Sequence, residues 1–153
     1  MRIPSLILMF LLPVVAAEPP GYKHWTSGQL RDRAQSLSPK VDAHKIATER
    51  LADFGRYHAL TVHREGSGQA EVHEDWADFF VVESGNAKLV VGGTIPDARR
   101  TGPGEIRGSK INGGTEQTLS AGDVVNIPAR TPHQFLLDSG SGDFNAFVLK
   151  IKP

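Results

Sequence analysis

From Arg56 to the end of the chain, apolar residues recur with a period of two, in short runs that glycine and proline keep interrupting. That period puts alternate side chains on opposite faces, as in half-buried strands, and runs this short leave no room for long helices. Tyr57 to His63 reads as a strand ended by Gly66-Ser67-Gly68, and Gln69 to His73 as another. Asp78 to Glu83 turns at Ser84-Gly85-Asn86 into Ala87 to Val91, a pattern that predicts a β-hairpin. Strands resume near Gln117 to Leu119, at Val124 to Ile127, from His133 to Leu137 and from Phe144 to Ile151. Eight or so short strands predict an all-β chain, an antiparallel sandwich or barrel. Gly92 to Gly114 is a polar, glycine-rich excursion that reads as a long hairpin, a pocket cover or a dimer contact.

The pattern upstream differs. Leu30, Ala34 and Leu37 recur at helical spacing behind Thr26 or Ser27, either of which can cap a short helix. Val41 to Asp53 fits a helix or an edge strand equally well. At the N-terminus, Arg2 precedes an apolar run from Ile3 to Val15, and Val15-Ala16-Ala17 supplies small residues before Glu18. This is the tripartite pattern of a signal peptide, and the run is shorter than the ~20 residues that span a bilayer. The expected organisation is a signal peptide over residues 1–17, a leader with a short helix over 18–55, and a β-barrel over 56–153. The mature chain is expected to be secreted or periplasmic, with no membrane partner.

Composition removes several kinds of function. The 17 Lys+Arg balance 17 Asp+Glu with no run of like charge, so a nucleic-acid partner is not expected. With no cysteine in its 153 residues, the chain has no disulfides, thiolate metal sites or cysteine nucleophile. There is no Gly-x-Ser-x-Gly element for a serine hydrolase, and no Lys-Ser/Thr follows the glycines of the excursion as a phosphate loop requires.

The chemistry resides in histidines and carboxylates. Glu71, His73 and Asp75 share one face if the strand continues through them. Asp78 opens an apolar run, an odd place for a charge unless something inside needs it. His133 opens a strand after Pro132. Two imidazoles with one or two carboxylates on neighbouring strands make a mixed nitrogen–oxygen metal site. His63 shares a strand face with Tyr57 and Thr61 and is a candidate acid/base group, with a surface histidine as the plainer alternative. Phe80 and Val82 share the parity of Asp78, and Phe135 and Leu137 that of His133, so these four are candidates for a pocket wall or for core. Trp76 is a candidate lid or, equally, a surface aromatic. Arg64, Lys88, Arg107 and Arg130 are candidates to hold an anionic substrate, with solvated surface charges as the plainer alternative.

The two stretches Glu71 to Gly85 and Gly122 to His133 resemble the two motifs of the cupin superfamily. Glu71-x-His73, four residues, Asp78, six residues and Gly85 keep the spacing of the first motif. Gly122, five residues, Pro128-x-Arg130, two residues and His133 keep most of the second. The departures are Glu71 for the first histidine, Asp78 for a glutamate, Arg130 for the turn glycine and Leu137 for the terminal asparagine. The resemblance implies a cupin double-stranded β-helix, or jelly-roll barrel, carrying a short N-terminal helix. It implies His73, Asp78 and His133 as ligands to a divalent transition metal (Fe, Mn, Zn or Ni), with Glu71 as the fourth. Asp75 is the alternative fourth ligand in a shifted register. The functions implied are isomerase, lyase or dioxygenase chemistry on a small polar substrate. The alternatives are a small-ligand binding cupin without catalysis, or a metal-free one that only dimerises.

Overall fold

The computed structural model describes residues 17–140 and 142–153. The segment read as a signal peptide lies outside the described residues except for Ala17. Among them, no helix is long and apolar enough to cross a membrane.

The described chain runs α1 (Ser27–Ser36), a 3-10 turn (Ser38–Lys40), then β1 (Ile46–Asp53), β2 (Tyr57–Arg64), β3 (Ala70–His73), β4 (Ala77–Ser84), β5 (Ala87–Val91), β6 (Arg99–Gly102), β7 (Glu105–Gly108), β8 (Thr115–Leu119), β9 (Val124–Ile127), β10 (His133–Leu136) and β11 (Phe144–Ile151). Thr26 caps α1 through a capping box with Gln29, which satisfies amide groups the first helical turn leaves free. Pro39 ends the helix in the 3-10 turn.

The strands form two antiparallel sheets. One has five strands in the order β1-β2-β11-β4-β9, and the other has six in the order β6-β7-β3-β10-β5-β8. The ambiguous stretch before residue 54 is therefore an edge strand, paired along β2 from Ile46↔Arg64 to Asp53↔His58. The first sheet thus begins ten residues upstream of the boundary expected at residue 56. The glycine-rich excursion holds the β6–β7 hairpin, which joins the second sheet by pairing with β3.

Alternation decides what faces inward. From β4, β5, β8, β9 and β11, the residues Phe80, Val82, Leu89, Leu119, Ile127, Phe144 and Ala146 pack into one buried cluster between the sheets. Phe135 and Leu137 pack against it. Each large side chain buried there stabilises the fold by about 1.5–3 kcal/mol. The opposite face of the five-stranded sheet is also covered. Helix α1 lies over β2 and β11, and Trp25 packs on Phe147 with ring centroids 5.8 Å apart. Ala59, Thr61 and His63 are consequently buried on the outside of the barrel.

Candidate metal centre and its cavity

Four side chains from three strands converge inside the barrel because of pairing register. Glu71 and His73 lie two residues apart on β3 and project inward together. On one side of β3, His133 of β10 stands opposite Glu71. On the other side, Arg107 of β7 stands opposite Glu71 and Glu105 opposite His73. Asp78 comes from β4 in the facing sheet, where its cross-strand partner on β11 is Lys150. Directly opposed residues on one face of a sheet are close enough to interact, so register alone supplies each site residue with a neighbour of complementary chemistry.

The turn before β10 aims His133. Arg130 stands where the cupin motif carries glycine and adopts the left-handed conformation that glycine would take, with φ 66°. Its amide donates to the His73 carbonyl at 2.7 Å, which ties the turn to the end of β3. The Gly92 amide donates to Pro132 O at 2.8 Å and fixes the other side.

The separations are those of a shared site. His133 Nε2 is 3.3 Å from Glu71 Oε1 and 3.7 Å from Asp78 Oδ2. His73 Nε2 is 3.5 Å from Asp78 Oδ2 and 3.9 Å from Glu71 Oε2. Glu71, His73 and His133 each offer a ligand atom within 4.8 Å of the others, and Asp78 joins them through its contacts to both imidazoles. A tetrahedron of ligands about 2.1 Å from an ion has edges of about 3.4 Å, so Glu71, His73 and His133 are grouped closely enough for one cation, with Asp78 against the two imidazoles. All four residues are buried.

The hydrogen bonds set the imidazole tautomers. His73 Nδ1 lies 2.8 Å from Glu105 Oε1, and His133 Nδ1 lies 3.0 Å from Thr131 O. Neither oxygen donates, so each Nδ1 carries a proton, and in the neutral imidazole each Nε2 then presents its lone pair inward. His133 Nε2 is buried without a satisfied hydrogen bond. Turned toward another imidazole and two carboxylates, this nitrogen fits a metal ligand when the imidazole is neutral, and an ion pair with Glu71 at 3.3 Å when it is protonated.

Charge on the donors is arranged to match. Burial opposes ionisation of Glu71, but the hydrogen bond and charge that His133 supplies when protonated, the charge of Arg107, and that of protonated His73 outweigh it and hold the carboxyl below its usual range. Arg107 also reaches Glu105 at 3.3 Å, and Lys150 Nζ lies 2.5 Å from Asp78 Oδ1. His73 is held below the ordinary imidazole value, first by burial and then by the charge of Lys150, against the pull of Asp78 and Glu71. Neutral imidazole and ionised carboxylate are the forms that bind a cation.

The centre lies in a cavity of about 560 Å³ lined from both sheets. Glu71, His73 and Asp78 with their charged neighbours make one polar part of it, Arg64 with Asp42, His44, Thr48, Gln69 and Thr101 makes another, and Leu60, Val62, Phe80, Phe135 and Val148 line an apolar part.

Other sequence expectations resolve differently. His63 does not reach the cavity: Leu60, Val62 and Arg64 face it from β2, so His63 points outward, beneath the helix-covered face. There its Nδ1 meets Asn145 Oδ1 at 2.8 Å, and its Nε2 meets Glu65 at 3.2 Å. Asp75 is not on the face of Glu71 and His73, because β3 ends at His73; it is exposed and rests against Gly104. Trp76 is no lid. It packs edge-on against His58, with centroids 4.7 Å apart, and under Lys152. Of the four wall candidates, Phe80 and Phe135 line the cavity. Lys88 is engaged by Glu116 at 3.3 Å. Sequence reasoning missed Glu105 and Lys150. For Lys150 a signal existed, since it continues the inward series Phe144, Ala146, Val148. Glu105 carried none, lying in an excursion whose pairing no pattern revealed.

No family model and no curated protein matches the chain. Solved structures do. A double-stranded β-helix domain from Klebsiella pneumoniae aligns at TM-score 0.51 and 16% identity, covering 72% of this chain and 80% of that one. The cupin domain of Schizosaccharomyces pombe Cnp3 aligns at TM-score 0.51 and 10% identity, covering 75% of this chain and 66% of that one, just under two thirds of its length. A putative mannose-6-phosphate isomerase from Ralstonia eutropha aligns at TM-score 0.52 and 13% identity, covering 74% of this chain and 90% of that one. At such identities the likeness is one of architecture, and it agrees with the sheet order and the two spaced motifs: the chain has the cupin double-stranded β-helix fold.

Proposed function

We propose that this chain is a metal-dependent cupin that binds one divalent transition-metal ion through Glu71, His73, Asp78 and His133 and acts on a small molecule in the adjoining cavity. The observation that carries the reading is the pair of buried Nε2 atoms turned toward two carboxylates, each ring oriented by an oxygen acceptor on its own Nδ1. When bound, such an ion supplies Lewis-acid polarisation of an oxygen-bearing substrate group. The residues of the chain do the rest. Glu105 and Thr131 O hold the imidazoles in one tautomer, Arg107 keeps Glu71 ionised, and Lys150 holds Asp78 in place. Phe80 and Phe135 exclude water from the apolar side. Substrate class and reaction type fall within the range that similar folds support: the oxalate oxidase that aligns at TM-score 0.51 was solved with glycolate. Export is part of the proposal and rests on the N-terminal pattern; secreted protein is expected to begin at Glu18.

One observation favours a second reading. Arg107 and Lys150 already sit on the two carboxylates. A barrel with these protein cations and no ion would be a binding protein for small molecules. Calorimetric titration with Mn²⁺ separates the two. The first reading expects one equivalent bound by the native chain and none by His73→Ala or His133→Ala. No binding by the native chain leaves the second reading.

A further inference from the structure

One cation in the cavity is not accounted for by the centre. Arg107 is engaged by Glu71 and Glu105, and Lys150 by Asp78. Arg64 of β2, buried to 5% exposure, also lines the cavity but forms no ion pair among the described residues. Its guanidinium carbon lies 5.3 Å from the centre of the Phe135 ring. The group also backs onto Gly68, where a Cβ would collide with its Nη1. Stacking and close backbone contact thus hold the guanidinium in place without consuming its donors. The carboxylates whose charges reach it, Glu71 and Asp42, form no ion pair with it and are engaged by other groups. Glu71 pairs with Arg107, and Asp42 accepts the amides of His44 and Ile46 at 2.8 and 3.3 Å. Burial makes the Arg64 charge costly and lowers its proton affinity, while Glu71 opposes that effect. A buried, positioned and unpaired guanidinium facing a cavity calls for an anion.

The wall beside it restricts the rest of the ligand. Phe80, Phe135 and Phe144 form a run of tilted rings 5.5 and 5.6 Å apart, and Leu60, Val62 and Val148 continue the apolar surface. Asp42, His44, Thr48, Gln69 and Thr101 line the cavity too, but sugar hydroxyls turned onto this wall would be left unpaired, so the wall itself suits an apolar body. We infer that Arg64 anchors the carboxylate of a small aromatic or branched aliphatic monocarboxylic acid whose apolar body lies on the Phe80–Phe135 wall. This names the ligand class for the cavity of the function proposed above and rests on that reading, but its test does not need the ion.

The experiment titrates benzoate, phenylacetate and isovalerate, and the amide of each, into the full chain, once after chelation and once after loading with Mn²⁺. At least one acid is expected to bind saturably at millimolar concentration or below, about tenfold or more tighter than its amide. Arg64→Met keeps the stem of the side chain. It is expected to bring the acid to the affinity of the amide, to leave the amide unchanged, and to keep Mn²⁺ affinity within about twofold, while Arg64→Lys recovers part of the preference. Equal binding of acids and amides, no binding by any acid, or full acid affinity in Arg64→Met overturns the inference. If Arg64→Met does not fold, the acid–amide comparison in the native chain decides alone. Acid preference in a chain that binds no Mn²⁺ keeps this inference and removes the metal; Mn²⁺ binding without acid preference does the reverse.

Discussion

His73 and His133 are prepared for a cation by what touches their outer nitrogens. Glu105 is the one such partner that mutation can remove, and groups in that position ordinarily contribute about 10–100-fold to metal affinity. Glu105→Ala is expected to weaken Mn²⁺ binding by about that factor in calorimetric titration while the chain stays folded; unchanged affinity would show that the tautomer is set elsewhere. Lys150 tests the charge balance from the other side. Lys150→Met leaves Asp78 buried without its cation, so the metal-free chain is expected to lose about 3–5 kcal/mol in urea unfolding. Mn²⁺ is expected to restore more stability to this variant than to the native chain. At this scale the sequence was legible where ligands sit at a fixed spacing, as Glu71, His73, Asp78 and His133 do. It was illegible where a residue matters because of the strand beside it, as with Glu105. His63 shows a different limit. Its parity with Tyr57 and Thr61 was readable, but helix α1 buries the outer face of β2 as fully as the barrel buries the inner one. Period two therefore could not say which side was inside.

Most strands followed from alternation and punctuation, and β9 and β11 keep their expected bounds. The ambiguity before residue 54 is resolved by partners far along the chain: an eight-residue stretch with both periods becomes a strand because β2 offers an edge. The glycine-rich excursion hid β6 and β7 for the same reason, since their short, polar strands are specified by pairing with β3. Turns were better signalled. Gly85 has φ +80°, and a Cβ there would collide with Asp143 O. Gly85→Ala is expected to cost at least about 2 kcal/mol, combining left-handed strain with the backbone clash. Urea unfolding measures it, and a loss below half that size would place this turn differently. Arg130 shows the reverse case, a non-glycine residue in the left-handed region at the same kind of position. Its backbone bond to His73 holds the turn in place.

For the whole molecule, the barrel couples stability to the ionisation of its centre. The folded-state value of His73 is lowered, chiefly by burial, so below its ordinary value near 6.5 the unfolded chain binds a proton that the folded chain does not. Glu71 is also lowered, so its contribution is complete above about 4.5 and is lost as acidity approaches the folded-state value. Both signs agree: the metal-free chain is expected to lose stability steadily from pH 7.5 to pH 4, read as the urea midpoint. A midpoint that rises on acidification would contradict both assignments. Metal binding adds to the same slope, because protons compete for the ligand atoms. At a hundred times its dissociation constant, a bound ion stabilises the folded chain by about 2.7 kcal/mol.

The central claim is that two imidazoles from different strands and two carboxylates share one ion. X-ray absorption of the Zn²⁺-loaded chain reads that most directly. The account predicts a nitrogen–oxygen shell near 2.0–2.1 Å with outer-shell scattering from two imidazoles, falling to one in His133→Ala. An all-oxygen shell, or a single imidazole unaffected by His133→Ala, would contradict it.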